Sequence, residues 1–470
     1  MEKIKEMGSA YWIKWALCLA LLIGISLFPP FAGLEPVAMR CLAILVFIIF
    51  VMIFRLIDEF LAGLLGLCLL FFLKVADTTG AALSGFTTST FVLLLGAFGM
   101  GGVLAQCGSL ARIANAIVSI FPKTFRGRVS AMYLAGMVVS PCLSSGSAKG
   151  VIMSLISCPT AKNMGYKKES NAAAGLFMAG WIPVGVIGIC FLSGAVSGPL
   201  LAGLTEGDAV TQFTWVKWFV NALPFLVVML VGCYFANLFL YKPKAGDVEE
   251  NFVIDTTVKK AEKMNSKQIL SLVIIAAVVI CWIFAKKLGL VDCWVAAAGL
   301  VLMLLFGCID RKKGVSVVPW GTLMFSAWVL TISNLMGTVG LSKAITETAG
   351  QYVIPLMNNL WLCIPVLCGL IYIIRLVVIS QTLVTSVMYV LLMPIAVAAG
   401  VNPWIIGFIC GVTICTWNIL PQSIPFLSAF GAADGYISFP KCVKMSVFVM
   451  IWQIVALWVS IPFWSLMGLC

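Results

Sequence analysis

Apolar runs of about 17–25 residues, the length that crosses a bilayer as a helix, recur along almost all of this 470-residue chain. Hydrophobic residues make up 62% of it, charged residues only 10%, and the mean hydropathy is +1.10. A soluble core cannot hide that much apolar surface, so the solvent is lipid and the chain is an all-α polytopic membrane protein. The first run, Trp12–Phe28, follows Lys3 and Lys5, lacks a small-residue cleavage site and leads into Pro29-Pro30. It reads as a retained span rather than a signal peptide.

The net charge of +12 is spread as Lys and Arg over short loops, the pattern of cytoplasmic loops rather than of a nucleic-acid surface. Most of the 17 cysteines lie inside apolar runs and none forms a Cys-x-x-Cys pair, so they read as small hydrophobes rather than disulfides. The chain has no histidine, the commonest proton relay and metal ligand. Without histidine, paired intramembrane carboxylates or a metal-ligand cluster, an enzyme is not expected, nor is a cofactor.

In chain order, Trp12–Phe28, Val37–Phe54, Phe60–Leu73 and Phe91–Gln106 read as spans. A basic loop, Arg112 to Arg128, then precedes Met132–Ile156, and Lys162, Lys167 and Lys168 follow it. If both basic blocks are cytoplasmic, the segment between them enters and leaves on one side, a re-entrant hairpin over 129–160. Ala172–Leu200 is broken by Pro183, Gly185, Gly188, Gly194, Gly198 and Pro199, and leads to Glu206 and Asp208, read as external. Phe219–Leu240 returns to a charged cytoplasmic linker, 242–267, expected to be partly helical. Beyond it come Ile269–Ala285, Trp294–Ile309, Leu323–Met336, a second interrupted segment within 358–400, the broken Trp404–Phe430, and Val447–Trp464. The expectation is about eleven spans plus two hairpins, with the N-terminus cytoplasmic and the C-terminus outside.

An internal repeat organises these spans. Thr90-Phe91-Val92-Leu93 through Gly108-Ser109-Leu110 matches Thr322-Leu323-Met324-Phe325 through Gly340-Leu341-Ser342 at the same spacing. An interrupted segment and a proline-broken helix follow each copy, and the topology above makes the copies run in opposite directions. Inverted repeats with paired discontinuous segments point to a secondary transporter. The division expected is N-terminal spans over 1–59, one repeat over 60–241, the linker, and a second repeat over 268–470.

The residue of most chemical interest is Lys149, in Ser144-Ser145-Gly146-Ser147-Ala148-Lys149-Gly150. A lysine in an apolar run is tolerated where it faces a polar cavity or a partner, and the competing reading is snorkelling from a helix end. Arg375, in the second interrupted segment, divides evenly between attracting anions at an outer mouth and snorkelling. Trp181 and Trp417 read as packing.

With these residues in view, the chain resembles the divalent anion/sodium symporter family of dicarboxylate and citrate carriers and exchangers. The family's Ser-Asn-Thr motif falls at Ser145-Gly146-Ser147 and at Val384-Thr385-Ser386, with Ser380-Gln381-Thr382 as the second choice. Its unwound segments fall at Phe191–Leu200, including Ser193, Gly194, Ser197 and Gly198, and at Leu420–Pro425, including Gln422, Ser423 and Pro425. The resemblance implies a homodimer in the plasma (inner) membrane, with a scaffold and a moving transport domain working as an elevator. It implies a substrate site of Ser144, Ser145, Gly146, Ser147, Lys149, Thr385, Ser386 and those unwound residues. Its cargo would be a C4-dicarboxylate such as succinate or malate, or citrate. Lys149 occupies the basic position of the exchanger branch, while Met388 stands where that branch commonly has histidine. Both motif asparagines are missing. A sodium-coupled symporter of dicarboxylate or sulfate is the alternative, with Na+ then expected near Ser145, Ser147, Thr385 and Ser386.

Overall fold

The computed structural model describes residues 9–30, 33–205, 207–249 and 264–470, and among these every regular element is helical. The expected linker lies partly outside the described residues, as do Lys3, Lys5 and Glu206. Three helices open the chain: α1 (Ser9–Leu27), α2 (Pro36–Ile53) and α3 (Glu59–Phe72), the last capped by Asp58, which accepts from the amide of Leu61.

The repeated sequence becomes a repeated joint. α4 (Ser89–Cys107) ends at Gly108, and α5 (Ser109–Ile120) starts there. The matching α13 (Trp320–Thr338) turns at Gly340 into α14 (Leu341–Met357), a bend of 79°. Gly108 and Gly340 have φ of +73° and +76°, a left-handed conformation that glycine adopts without steric cost. Arg112 therefore lies on a helix and not in a loop. α5 buries Leu110, Ala114 and Val118, a stripe at four-residue spacing that brings it onto the protein.

Each repeat continues as two helices with a break between them. In the first, α6 (Phe125–Val139) and α7 (Gly146–Asn163) flank residues 140–145, and Arg126 and Arg128 belong to α6. α8 (Asn171–Trp181) follows, then a π turn at Ile182–Val186 containing Pro183, short 3-10 turns through Gly194, and α9 (Ser197–Leu204). Proline removes a backbone donor and clashes with the preceding turn, which is why the helix loosens here. α10 (Trp215–Leu240) closes the first repeat, and α11 (Ser266–Leu288) and α12 (Asp292–Leu305) open the second. There α15 (Leu360–Val377) and α16 (Gln381–Ala398) flank residues 378–380. α17 (Pro403–Thr416), an irregular stretch, α18 (Ile424–Ala432) and the long α19 (Phe439–Leu466) complete the chain.

Nine helices among the described residues are long and apolar enough to cross a membrane, or ten if α13 and α14 make one broken span. That differs from the expected eleven spans plus two hairpins. α3 and α12 have 14 residues each, about 21 Å of helix against a hydrocarbon core of about 30 Å. Conversely α15 and α16, expected to be hairpin limbs, are each long enough to span.

The two repeats meet where α7 packs on α18. Gly146 and Gly150, four residues apart, face Pro425 and Ala429, also four apart. A Cβ on Gly150 would stand 2.9 Å from the Ala429 Cβ, closer than real side chains allow. Small residues at this spacing let two helices approach closely where lipid supplies no hydrophobic drive between them.

Candidate anion-binding site

Both helix breaks are built alike. At the first, Ser145 is the N-cap of α7 and accepts from the amide of Ala148 at 3.3 Å. At the second, Ser380 caps α16 and accepts from Leu383 at 3.2 Å. The counterpart of Ser145-Gly146-Ser147 is therefore Ser380-Gln381-Thr382, which reverses the order in which the sequence ranked the two candidates. In this register Val384 corresponds to Lys149.

Between the breaks lies a cavity of about 730 Å³. Ser144, Ser145, Gly146 and Ser147 line it from the first break, and Ser380, Gln381, Thr382 and Thr385 from the second. Gly194 and Gln422 contribute from the irregular segments, and Ser197 and Pro425 from the first turns of α9 and α18. The first turns of α7 and α16 thus both open on one space, where free N–H groups and the helix dipoles favour an anion. The Thr385 hydroxyl, 1% exposed, has no hydrogen-bond partner, nor has the indole N–H of Trp181, which also lines the cavity. A buried donor without a partner is costly unless a ligand satisfies it.

The other expected site residues stand behind this lining. Lys149 is fully buried and its ammonium donates to the carbonyl of Gly194, so it neither faces the cavity nor snorkels. Ser193 donates to Pro141 O at 2.7 Å and accepts from the Trp215 indole at 3.1 Å. With Ser140, which donates to Pro183 O at 2.7 Å, these bonds fasten the first break to the irregular segment after α8. Gly198 permits a backbone crossing, since a Cβ there would lie 2.2 Å from Leu192 O. Ser386 donates to Thr382 O and Leu383 O of its own helix. Ser423 accepts from the Gln381 amide at 3.3 Å, and Gln422 donates to Leu376 O at 3.3 Å, fastening the second break to the stretch before α18.

Arg375 is also fully buried, which rules out both an outer mouth and snorkelling. One guanidinium nitrogen donates to the carbonyls of Val378 and Ile379, while Nε and the other terminal nitrogen have no partner. Lys149 and Arg375 thus lie behind one break each. Neither has a carboxylate partner among the described residues. The charged residues that do line the cavity, Arg55, Asp58 and Glu59, come from the α2–α3 connection and the start of α3, where no sequence motif marks a site.

The profile of the sodium:sulfate symporter transmembrane region matches residues 9–470. The chain belongs to the divalent anion/sodium symporter family. Within the family it is 26% identical, over 360 residues, to the candidate malate transporter YflS of Bacillus subtilis, covering 73% of each chain. It is 22% identical over 361 residues to the L-tartrate/succinate antiporter of Escherichia coli K12, covering 71% of this chain and 73% of that protein. The YdaH transporter of Alcanivorax borkumensis shares the fold, with a TM-score of 0.60 at 17% identity over 83% of this chain and 89% of that one. The chain is an integral membrane transporter of small anions, not an enzyme.

Proposed function

We propose that this transporter exchanges C4-dicarboxylates, succinate and malate being the reference cargo. The observation that carries the reading is the pair of buried cations, Lys149 and Arg375, set behind the two breaks without acidic partners among the described residues. An unpaired charge away from water is expensive. A dianion in the cavity supplies about two negative charges to offset two fixed positive ones. Arg55, Asp58 and Glu59 line the cavity from the α2–α3 side, which this reading leaves in the static scaffold. The loaded moving part therefore has its two cations offset and crosses readily, while the empty moving part keeps both charges uncompensated and is held back. That difference makes exchange obligatory.

Two helix N-termini open on one cavity, so a dicarboxylate can place one carboxylate at each. Ser145 and Ser147 serve the first and Thr385 the second. In this reading the chain works as an elevator within a homodimer of the plasma membrane, with the N-terminus cytoplasmic and the C-terminus outside. α1–α3 belong to the static scaffold, and the breaks to the moving part.

Competition against labelled succinate in proteoliposomes tests the cargo. Unlabelled succinate and L-malate should compete far better than citrate or sulfate. Preferential competition by sulfate would remove the two-carboxylate assignment.

A further inference from the structure

Glu59 reaches the second break from a distant part of the chain. One of its carboxylate oxygens accepts from the Ser380 hydroxyl at 2.9 Å, and the other accepts from Thr322 at 3.2 Å. Ser380 is the residue that caps α16. A carboxylate therefore already occupies the N-terminus of α16, and it belongs to the protein. A serine hydroxyl carries one proton, so Ser380 cannot donate to Glu59 and to a substrate carboxylate at once. The neighbouring Thr385 hydroxyl lines the same cavity, buried and unpartnered, and so marks a place for a further oxygen ligand beside the one Glu59 occupies.

We infer that Glu59 is a tethered competitor of the substrate: its carboxylate holds the second break to α3 until a carboxylate of the incoming dianion displaces it from Ser380. This rests on the dicarboxylate reading above. Displacement removes the bond between α3 and α16, and Glu59 keeps Thr322 as a partner. Loading the site and freeing α16 from α3 then become one event. An empty transporter stays latched, which adds to the charge penalty that disfavours empty crossing. Glu59 thereby positions the second break and sets the apparent affinity, without being a ligand of the substrate.

The test is Glu59→Gln, which removes the competing charge at nearly constant size. Succinate KM in proteoliposomes should fall by about threefold to tenfold, the equivalent of one hydrogen bond. A merely structural role would raise KM instead. Hydrogen–deuterium exchange of amides in 380–385 should quicken in the substrate-free variant. Glu59→Asp, which shortens the reach, should also quicken exchange there and serves if the glutamine variant does not fold. An unchanged or raised KM, or unchanged exchange in a monodisperse variant, overturns the latch. If the native protein does not transport succinate, the cargo assignment fails by itself. The variants' exchange without substrate still decides whether Glu59 restrains α16.

Discussion

The Lys149 ammonium hydrogen-bonds the carbonyl of Gly194, joining the first turn of α7 to the unwound segment after α8. Gly194 lines the cavity and Lys149 does not, so the lysine acts on the site through the backbone and through its field. Burial takes the charge out of water, which strengthens its field in the neighbouring cavity.

Lys149→Gln keeps a donor but removes the charge. A charge-assisted hydrogen bond is worth about 1.5–3 kcal/mol, so succinate exchange should drop about tenfold to hundredfold. Initial rates in proteoliposomes, at matched protein incorporation, measure it.

The two glycines around this bond should separate folding from transport. A Cβ on Gly188 would sit 2.8 Å from the Lys149 ammonium, the movable end of a long side chain. Gly188→Ala should therefore leave the protein folded and impair transport. A Cβ on Gly194 would sit 2.1 Å from Gly188 O, which is backbone and cannot yield. Gly194→Ala should cost at least about 1–3 kcal/mol, seen as a lowered Tm in detergent.

The register of the second break predicts unequal hydroxyls. Thr385 is buried, unpartnered and faces the cavity, whereas Ser386 is satisfied within its own helix. Thr385→Val should raise succinate KM about tenfold, the loss of about 1.4 kcal/mol. Ser386→Ala should change it little. KM measurements on the pair check the ordering.

Several of these features were legible before the fold was known. Lys149 stood out because a charge in an apolar run needs a reason, and Gly108 and Gly340 because the repeat placed them in register. The proline- and glycine-rich run 182–199 announced its own irregularity. The choice between Ser380 and Val384 as the start of the second motif was not legible. The alternatives differ by four residues, about one helical turn, so hydrophobic periodicity presents the same face for both. Glu59 was silent because its partners, Ser380 and Thr322, are distant in sequence and no local pattern marks the contact. Hydropathy marks α3 and α12 as apolar but blurs helix ends, so it does not show that each has 14 residues.

Arg375 should prove sensitive to geometry as well as charge. It donates to two successive carbonyls at the break, and its planar fork suits that task better than an ammonium. Arg375→Lys should retain less than about a tenth of native exchange, and Arg375→Gln less still. Full activity in the lysine variant would reduce Arg375 to a generic positive charge.

Two buried cations without a carboxylate partner among the described residues should make exchange obligatory. Labelled succinate uptake into proteoliposomes tests it directly, with succinate inside or absent and with sodium or choline outside. Uptake should occur only when succinate is inside, equally with either cation. Uptake into empty vesicles driven by a sodium gradient would contradict it and make this protein a sodium-coupled symporter.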